Sequence, residues 1–167
     1  MVVSPVSERR VLAEALEREF SKAIRMMRAF PYGCFNEEPT VCPRTGRDLA
    51  WGFVRREHLL HYVISGRMTE IAATAPSSLH EILVAYEEAR RETRERLGLL
   101  TRDRWNEVLR GPAGLGRWER ARRGELLWMA LRDLVHHGEH FALHLRMARE
   151  ADASSQARES RELRHTA

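Results

Sequence analysis

Histidines and acidic residues stand together in two segments of this 167-residue chain. Glu57 and His61 are four positions apart in one segment, and Asp133 and His137 are four positions apart in the other. Residues at that spacing lie on the same side of a helix, so each pair can present a carboxylate and an imidazole to one point. Two such pairs on facing helices would supply four ligands for a divalent Zn, Ni, Fe or Mn ion.

Glu57 is the most unusual of these residues because it lies where a leucine would be expected. The apolar positions around it form one helical stripe, and Glu57 projects into the middle of that stripe with His61 at its edge. A buried carboxylate is costly unless it is protonated, paired with a cation or bound to a metal. Glu57 is therefore a candidate metal ligand or general base, and the alternative is a structural carboxylate paired with an arginine.

The second pair lies on the last helical segment. His137 falls inside the border of the apolar arc, and Asp133 flanks that arc. A single histidine in such a position is usually a hydrogen-bonded part of the structure, whereas the joint arrangement on two helices favours a metal or polar functional site. The other histidines are interpreted as flanking, surface or outward-pointing groups: His58, His80, His136, His140, His144 and His165.

Four segments with helical periodicity must position these side chains, and no segment of useful length alternates with period two. The predicted fold class is therefore all-α, a four-helix bundle with long crossover loops. The capping residues Thr45 and Ser78 mark two of the helix starts. The helices are predicted over residues 7–30, 45–73, 78–98 and 117–150.

The connections between these helices are rich in proline and glycine. Residues 31–44 form a crossover loop, and residues 99–116 bridge the last two helices with one short turn around Trp105. We expect a single domain over residues 1–150 and a flexible tail over residues 151–167, whose Ala, Ser and Arg content is typical of a frayed terminus.

Composition excludes several function classes. Hydrophobic residues make up 43% and charged residues 31% of the chain, and no stretch approaches the roughly 20 apolar residues of a membrane span. The first ten residues lack the order of a signal peptide, so we expect a cytoplasmic protein. Cys34 and Cys42 are eight positions apart, which favours two reduced thiols over a zinc site or a disulfide framework.

The net charge of +4 argues only weakly for a nucleic-acid partner. Most arginines are interleaved with acidic residues, and the run at residues 87–96 is typical of a solvated helix face with ion pairs between successive turns. A track of phosphate-binding cations would instead be largely free of acids. We therefore expect no nucleic-acid or membrane partner, and a small-molecule substrate or ligand whose identity stays open.

Two sequence blocks resemble the DinB-like (DinB/YfiT) proteins. One is LRDLVHH at residues 131–137, followed by LHLRMA at residues 143–148, and it is similar to the last helix of that family. The other is TGRDLAWGFVRRE at residues 45–57, which resembles the second helix. The resemblance covers most of the chain, and these two blocks are its specific part. It implies a four-helix bundle, usually a homodimer, with a divalent metal between the second and last helices.

In that family the metal is held by one histidine of the second helix and an H-x-x-x-H pair of the last helix. By position, His137 matches the second histidine of the pair, and Asp133 takes the place of the first. The histidine of the second helix would fall near Gly52 or Phe53, where this chain has none. Residues 138–140, Gly-Glu-His, also replace the usual Arg-Gly-Gln.

These departures leave two functions open. In the first, Glu57 or His61 supplies the missing ligand, and the chain is a divalent-metal-dependent enzyme with thiol-dependent transferase-type chemistry. In the second, the chain is a non-catalytic dimeric bundle that has lost its metal and acts by binding a ligand or partner.

Overall fold

Four long helices make up most of the part of the chain that the structure describes, as the periodicity predicts. The computed structural model describes residues 7–37, 44–66, 74–110 and 120–165, with side chains to residue 158. The helices are α1 Glu8–Arg28, α2 Gly46–Ser65, α3 Leu79–Gly98, α4 Arg102–Asn106 and α5 Arg123–His165, with a 3-10 turn at Tyr32–Cys34 and strands β1 Val108–Arg110 and β2 Arg120–Arg122.

The core lies where α2 packs against α3 on one side and α5 on the other, with α1 closing the bundle against α3 and α5. Phe53 of α2 is at its centre. Its ring contacts Tyr86 of α3 at a centroid distance of 5.7 Å and Phe141 of α5 at 5.4 Å. A residue on α2 can therefore face either neighbour, and this decides where the candidate site residues lie.

The start and the end of α2 are each determined by residues close to them in the sequence. The Thr45 hydroxyl accepts the backbone N–H of Asp48 at 3.0 Å, and the Asp48 carboxylate accepts the N–H of Thr45 at 3.3 Å, so the helix starts with a capping box. It ends at Ser65, earlier than predicted, because Gly66 adopts a left-handed φ of 77° that stops the helix. Residues 67–73 of the predicted helix lie outside the described residues.

The bridge after α3 differs partly from its prediction. The predicted turn around Trp105 is the short helix α4. The two strands that follow pair antiparallel, with Leu109 opposite Ala121, although the sequence predicts no strand. Three-residue strands are too short to show an alternating pattern in a sequence. The two strands pair only when the fold brings the end of α4 close to the start of α5.

The last helix is displaced from its predicted bounds at both ends. It begins at Arg123 rather than at residue 117, because residues 120–122 form β2, and it continues past residue 150 to His165. The segment predicted as a tail is thus helical up to that residue. None of the helices in the described ranges has the length and apolar character needed to cross a membrane.

Candidate functional site

The four predicted site residues lie in two separate groups on opposite sides of α2. Asp133 and His137 of α5 face the first turns of α2, whereas Glu57 and His61 face α3. Within residues 7–37, 44–66, 74–110 and 120–165, no group of three or more His, Cys, Asp or Glu side chains could hold a metal ion. The structure therefore does not bring the four residues together, and each group has its own chemistry.

His137 is committed to a structural hydrogen bond. Its ring is buried, and Nε2 lies 2.7 Å from the carbonyl oxygen of Leu49. A carbonyl can only accept, so Nε2 carries the proton and donates it. The ring also packs edge-on against Phe53 at a centroid distance of 4.6 Å. This nitrogen is consequently not free to bind a metal.

Gly52 allows His137 to approach the α2 backbone this closely. A Cβ atom at position 52 would lie only 2.5 Å from both Cε1 and Nε2 of the His137 ring. The family resemblance places the helix-two histidine at or next to this position. Here the His137 imidazole fills the space beside position 52. This close packing accounts both for the absence of a histidine at that position and for the burial of the His137 ring.

We expect Gly52→Ala to lower the free energy of unfolding by about 1–3 kcal/mol, because the new methyl group overlaps the His137 ring. In a His137→Ala background the same substitution should be neutral or stabilising by up to about 1 kcal/mol, because alanine favours a helix more than glycine does. Urea denaturation of the four proteins of this cycle measures both effects. Equal effects of Gly52→Ala in the two backgrounds would contradict the packing described here.

Asp133 is paired with a cation. Arg56 Nε lies 2.9 Å from Asp133 Oδ2, and Arg56 Nη1 donates to the carbonyl oxygen of Gly52 at 3.1 Å. The guanidinium group therefore lies beside both candidate ligands of α5. It also contributes, after burial, to lowering the pKa of His137 to about 4. A divalent cation at this place would meet an existing positive charge and a neutral imidazole whose Nε2 proton is already donated.

Glu57 is fully buried, and its surroundings favour the protonated carboxyl group. Burial raises the pKa of Glu57, and Thr93 Oγ1 lies 2.6 Å from Glu57 Oε2 and 3.1 Å from the carbonyl oxygen of Ala89. The single Thr93 proton cannot serve both oxygens. If Glu57 keeps its own proton and donates to Thr93, the Thr93 hydroxyl can donate to Ala89, and both contacts are hydrogen bonds.

His61 is held in place by the Ala89 carbonyl group, which Thr93 also contacts. Its Nε2 lies 2.8 Å from the Ala89 oxygen, and its Nδ1 lies 3.5 Å from Glu92 Oε2. Burial lowers the pKa of His61. The ring is therefore neutral at pH 7 and holds α2 against α3, rather than turning toward α5.

Sequence reasoning missed a buried arginine. The run at residues 87–96 is predicted as a solvated face, but Arg90 and Thr93 are buried. Arg90 Nη2 lies 2.6 Å from Glu17 Oε1 of α1. The Tyr86 hydroxyl lies near Arg90 and Glu57. Burial, and after it the Glu57 carboxylate, raises the pKa of Tyr86 well above the usual value, and the charge of Arg90 opposes this shift. Glu57, Tyr86, Arg90 and Thr93 form what we call the interior polar cluster.

The reason for this miss lies in the pattern of α3. Arg90 is four positions from Tyr86, Thr93 is four positions from both Ala89 and Leu97, and all five residues are buried on one face of the helix. That spacing could have predicted the burial of Arg90 and Thr93, but the charged residues around them favoured an exposed helix face. Cys34 is free and half-buried, and Cys42 lies outside the described residues.

Comparison with known proteins gives the fold and no further detail. No protein-family model matches the chain, and no curated protein matches it. Among solved structures, the chain is similar to a crystal structure of YjoA, a DinB-like protein from Bacillus subtilis, at 15% sequence identity and a TM-score of 0.62. The match covers 81% of this chain and 90% of that chain. This chain therefore has the DinB-like fold that its two sequence blocks predict.

Proposed function

We propose that this chain is a cytoplasmic binding protein with the DinB-like fold that works without a metal ion between α2 and α5. The contact that carries the proposal is the one between His137 Nε2 and the Leu49 carbonyl oxygen, at 2.7 Å. It occupies Nε2, one of the two ring nitrogens of the one histidine that matches the family's ligand pair, and the Arg56 guanidinium group pairs with Asp133 beside it. The role that we propose for the bundle is the binding of a small molecule or partner.

The surroundings of the other predicted ligands also support a protein that works without a metal ion. Asp133 is neutralised by Arg56, position 52 has no side chain, and Glu57 and His61 are held by groups of α3. A metal enzyme would need at least three ligands that reach one ion and an open position for its substrate. Among the described residues, no three His, Cys, Asp or Glu side chains are placed so that they could hold one ion.

Elemental analysis of the untagged protein tests this proposal, after purification and again after separate incubation with Zn, Ni, Fe or Mn salts and desalting. We expect well below one equivalent of any metal in the unmutated protein. The variants His137→Ala and Asp133→Asn should not change this content. His136→Ala is the matched control, because it removes an exposed imidazole from the same helix.

One equivalent of a metal in the unmutated protein would overturn the proposal, provided that His137→Ala loses it and His136→Ala retains it. Such a result would restore the metal-dependent enzyme as the function. The proposal also includes the homodimer that the family resemblance implies. Sedimentation of the same samples should give twice the mass of one chain.

A further inference from the structure

A small cavity lies between α1 and α3, outside the space where a metal is expected. Its volume is about 220 Å³. Drug-sized ligands occupy pockets of roughly 300 Å³ or more, so this one is suited to a smaller molecule or to one group of a larger ligand. Its lining residues are Arg9, Arg10, Ala13, Glu17, Arg90, Arg94, Leu97 and Gly98.

The charges around the cavity are unbalanced. Four arginines line it and Glu17 is the one carboxylate among the lining residues, which leaves an excess of three positive charges. Arg10 also pairs with Glu14 at 2.9 Å, but both side chains are largely exposed. Even when Glu14 is included, two positive charges remain, and an exposed pair of this kind neutralises little.

Glu17 indicates which chemical group the cavity accepts. Its carboxylate receives Arg94 Nε and Nη2, each at 2.8 Å, and Arg90 Nη2 at 2.6 Å. The hydrogen bond from Arg94 is the main cause of the lowered pKa of Glu17. Glu17 takes up one edge of the Arg94 guanidinium group and one nitrogen of Arg90, and it fixes the positions of both groups. A second oxyanion would bind their remaining N–H groups, and little ordering of the two side chains is then needed.

Arg90 adds unused donors. Its side chain is 2% exposed, and its Nε and Nη1 atoms have no hydrogen-bond partner among the described residues. Burial raises the pKa of Glu57, whereas the charge of Arg90 opposes that shift. Glu17, which Arg94 shares, is the carboxylate that Arg90 contacts directly, at 2.6 Å. A buried cation with free donors favours a further anionic partner.

We propose that this cavity binds a small oxyanion, the phosphate or carboxylate group of a small molecule, through Arg9, Arg90 and Arg94. Arg94 is exposed and receives the ligand from solvent, and Arg90 supplies the buried charge. Arg9 reaches the same space while one of its nitrogens donates to the Leu100 carbonyl oxygen. This inference rests on the proposed binding function and names its ligand class.

Isothermal titration calorimetry at low ionic strength tests it, on the full chain after passage over a chelating resin. The probes are inorganic phosphate and succinate, titrated separately. We expect one saturable site for at least one probe, and the tighter probe identifies the group as phosphate or carboxylate. Arg94→Gln should weaken binding about tenfold, because it removes charge-assisted donors.

Arg28→Gln is the matched control. Arg28 also joins α1 to α3, through an ion pair with Glu87 at 3.2 Å, but it does not line the cavity. It removes the same charge and should leave the affinity unchanged. Arg9→Gln provides a second cavity variant in case Arg94→Gln does not fold, which circular dichroism will show, and it should weaken binding in the same way.

Absence of saturable binding with both probes would overturn the inference. Equal weakening by the cavity variants and by Arg28→Gln would also overturn it, because binding would then follow net charge alone. Both results leave the metal measurement untouched, so a metal-free protein without anion binding separates failure of this inference from failure of the proposed function.

Discussion

Replacing Arg123 with methionine is expected to lower the free energy of unfolding by about 2–4 kcal/mol, because the backbone carbonyl oxygens that its buried side chain bonds lose their donor. The Arg123 side chain is buried at the start of α5. Its Nη1 donates to the carbonyl oxygens of Val63 and Ile64, each at 2.5 Å, and its Nε donates to that of Arg104 at 2.9 Å. Its Nη2 pairs with Glu107 at 2.6 Å. Methionine keeps the bulk of the side chain and removes every one of these donors.

The neighbouring Arg122 is a natural control for this substitution. It is exposed at the end of β2 and pairs with Glu125 of α5 at 2.7 Å, so Arg122→Met should shift the urea midpoint little. Arg123→Met should also increase amide hydrogen exchange at the end of α2, because it leaves two carbonyl groups of that turn without their donor. Similar urea midpoints for the two variants would show that the Arg123 contacts contribute little to stability.

Acidification from pH 6.5 to pH 4 is expected to remove about 3 kcal/mol of stability through His137 alone. The pKa of His137 falls from the ordinary 6.5 to about 4, mainly through burial and then through Arg56. Between pH 6.5 and pH 4 the His137 side chain binds a proton in the unfolded chain but stays neutral in the folded chain. The free energy of unfolding therefore falls as the pH falls. Above pH 6.5 both states are neutral at this residue, and its contribution is constant.

Urea denaturation of the unmutated protein and of His137→Gln between pH 7 and pH 4 measures this effect. Burial also lowers the pKa values of His58, His61 and His144, which contribute in the same direction in both proteins. The difference between the two slopes therefore isolates His137. His136→Gln, at an exposed position of the same helix, should keep the unmutated slope. Parallel slopes for His137→Gln and the unmutated protein would rule out the buried neutral imidazole.

The helices could be predicted from the sequence because their signals are local. The capping box of Thr45 and Asp48 and the start of α3 after Ser78 depend only on residues a few positions away. The end of α2 at Gly66 and the pairing of β1 with β2 could not be predicted in the same way. The first depends on one residue taking a left-handed conformation, and the second on two strands separated along the chain.

The candidate site was predictable in its composition but not in its contacts. Helical periodicity correctly predicts that Glu57, His61 and His137 are buried among apolar side chains. It does not indicate that Arg90 is buried beside them, because the acidic and basic neighbours of Arg90 favour a solvated face. The position of each residue on its own helix is encoded locally, whereas the helix that it faces is not.

The sequence by itself determined that this chain is a bundle of helices with buried histidines and a buried carboxylate, since spacing fixes the apolar face of each helix. Only the tertiary structure decided the partner of each polar group. His137 meets the Leu49 carbonyl and His61 meets the Ala89 carbonyl. Every residue carries such an acceptor, so residue types do not reveal which one is used. The rotation and separation of packed helices select it, and here they separate the two pairs that one metal would have joined.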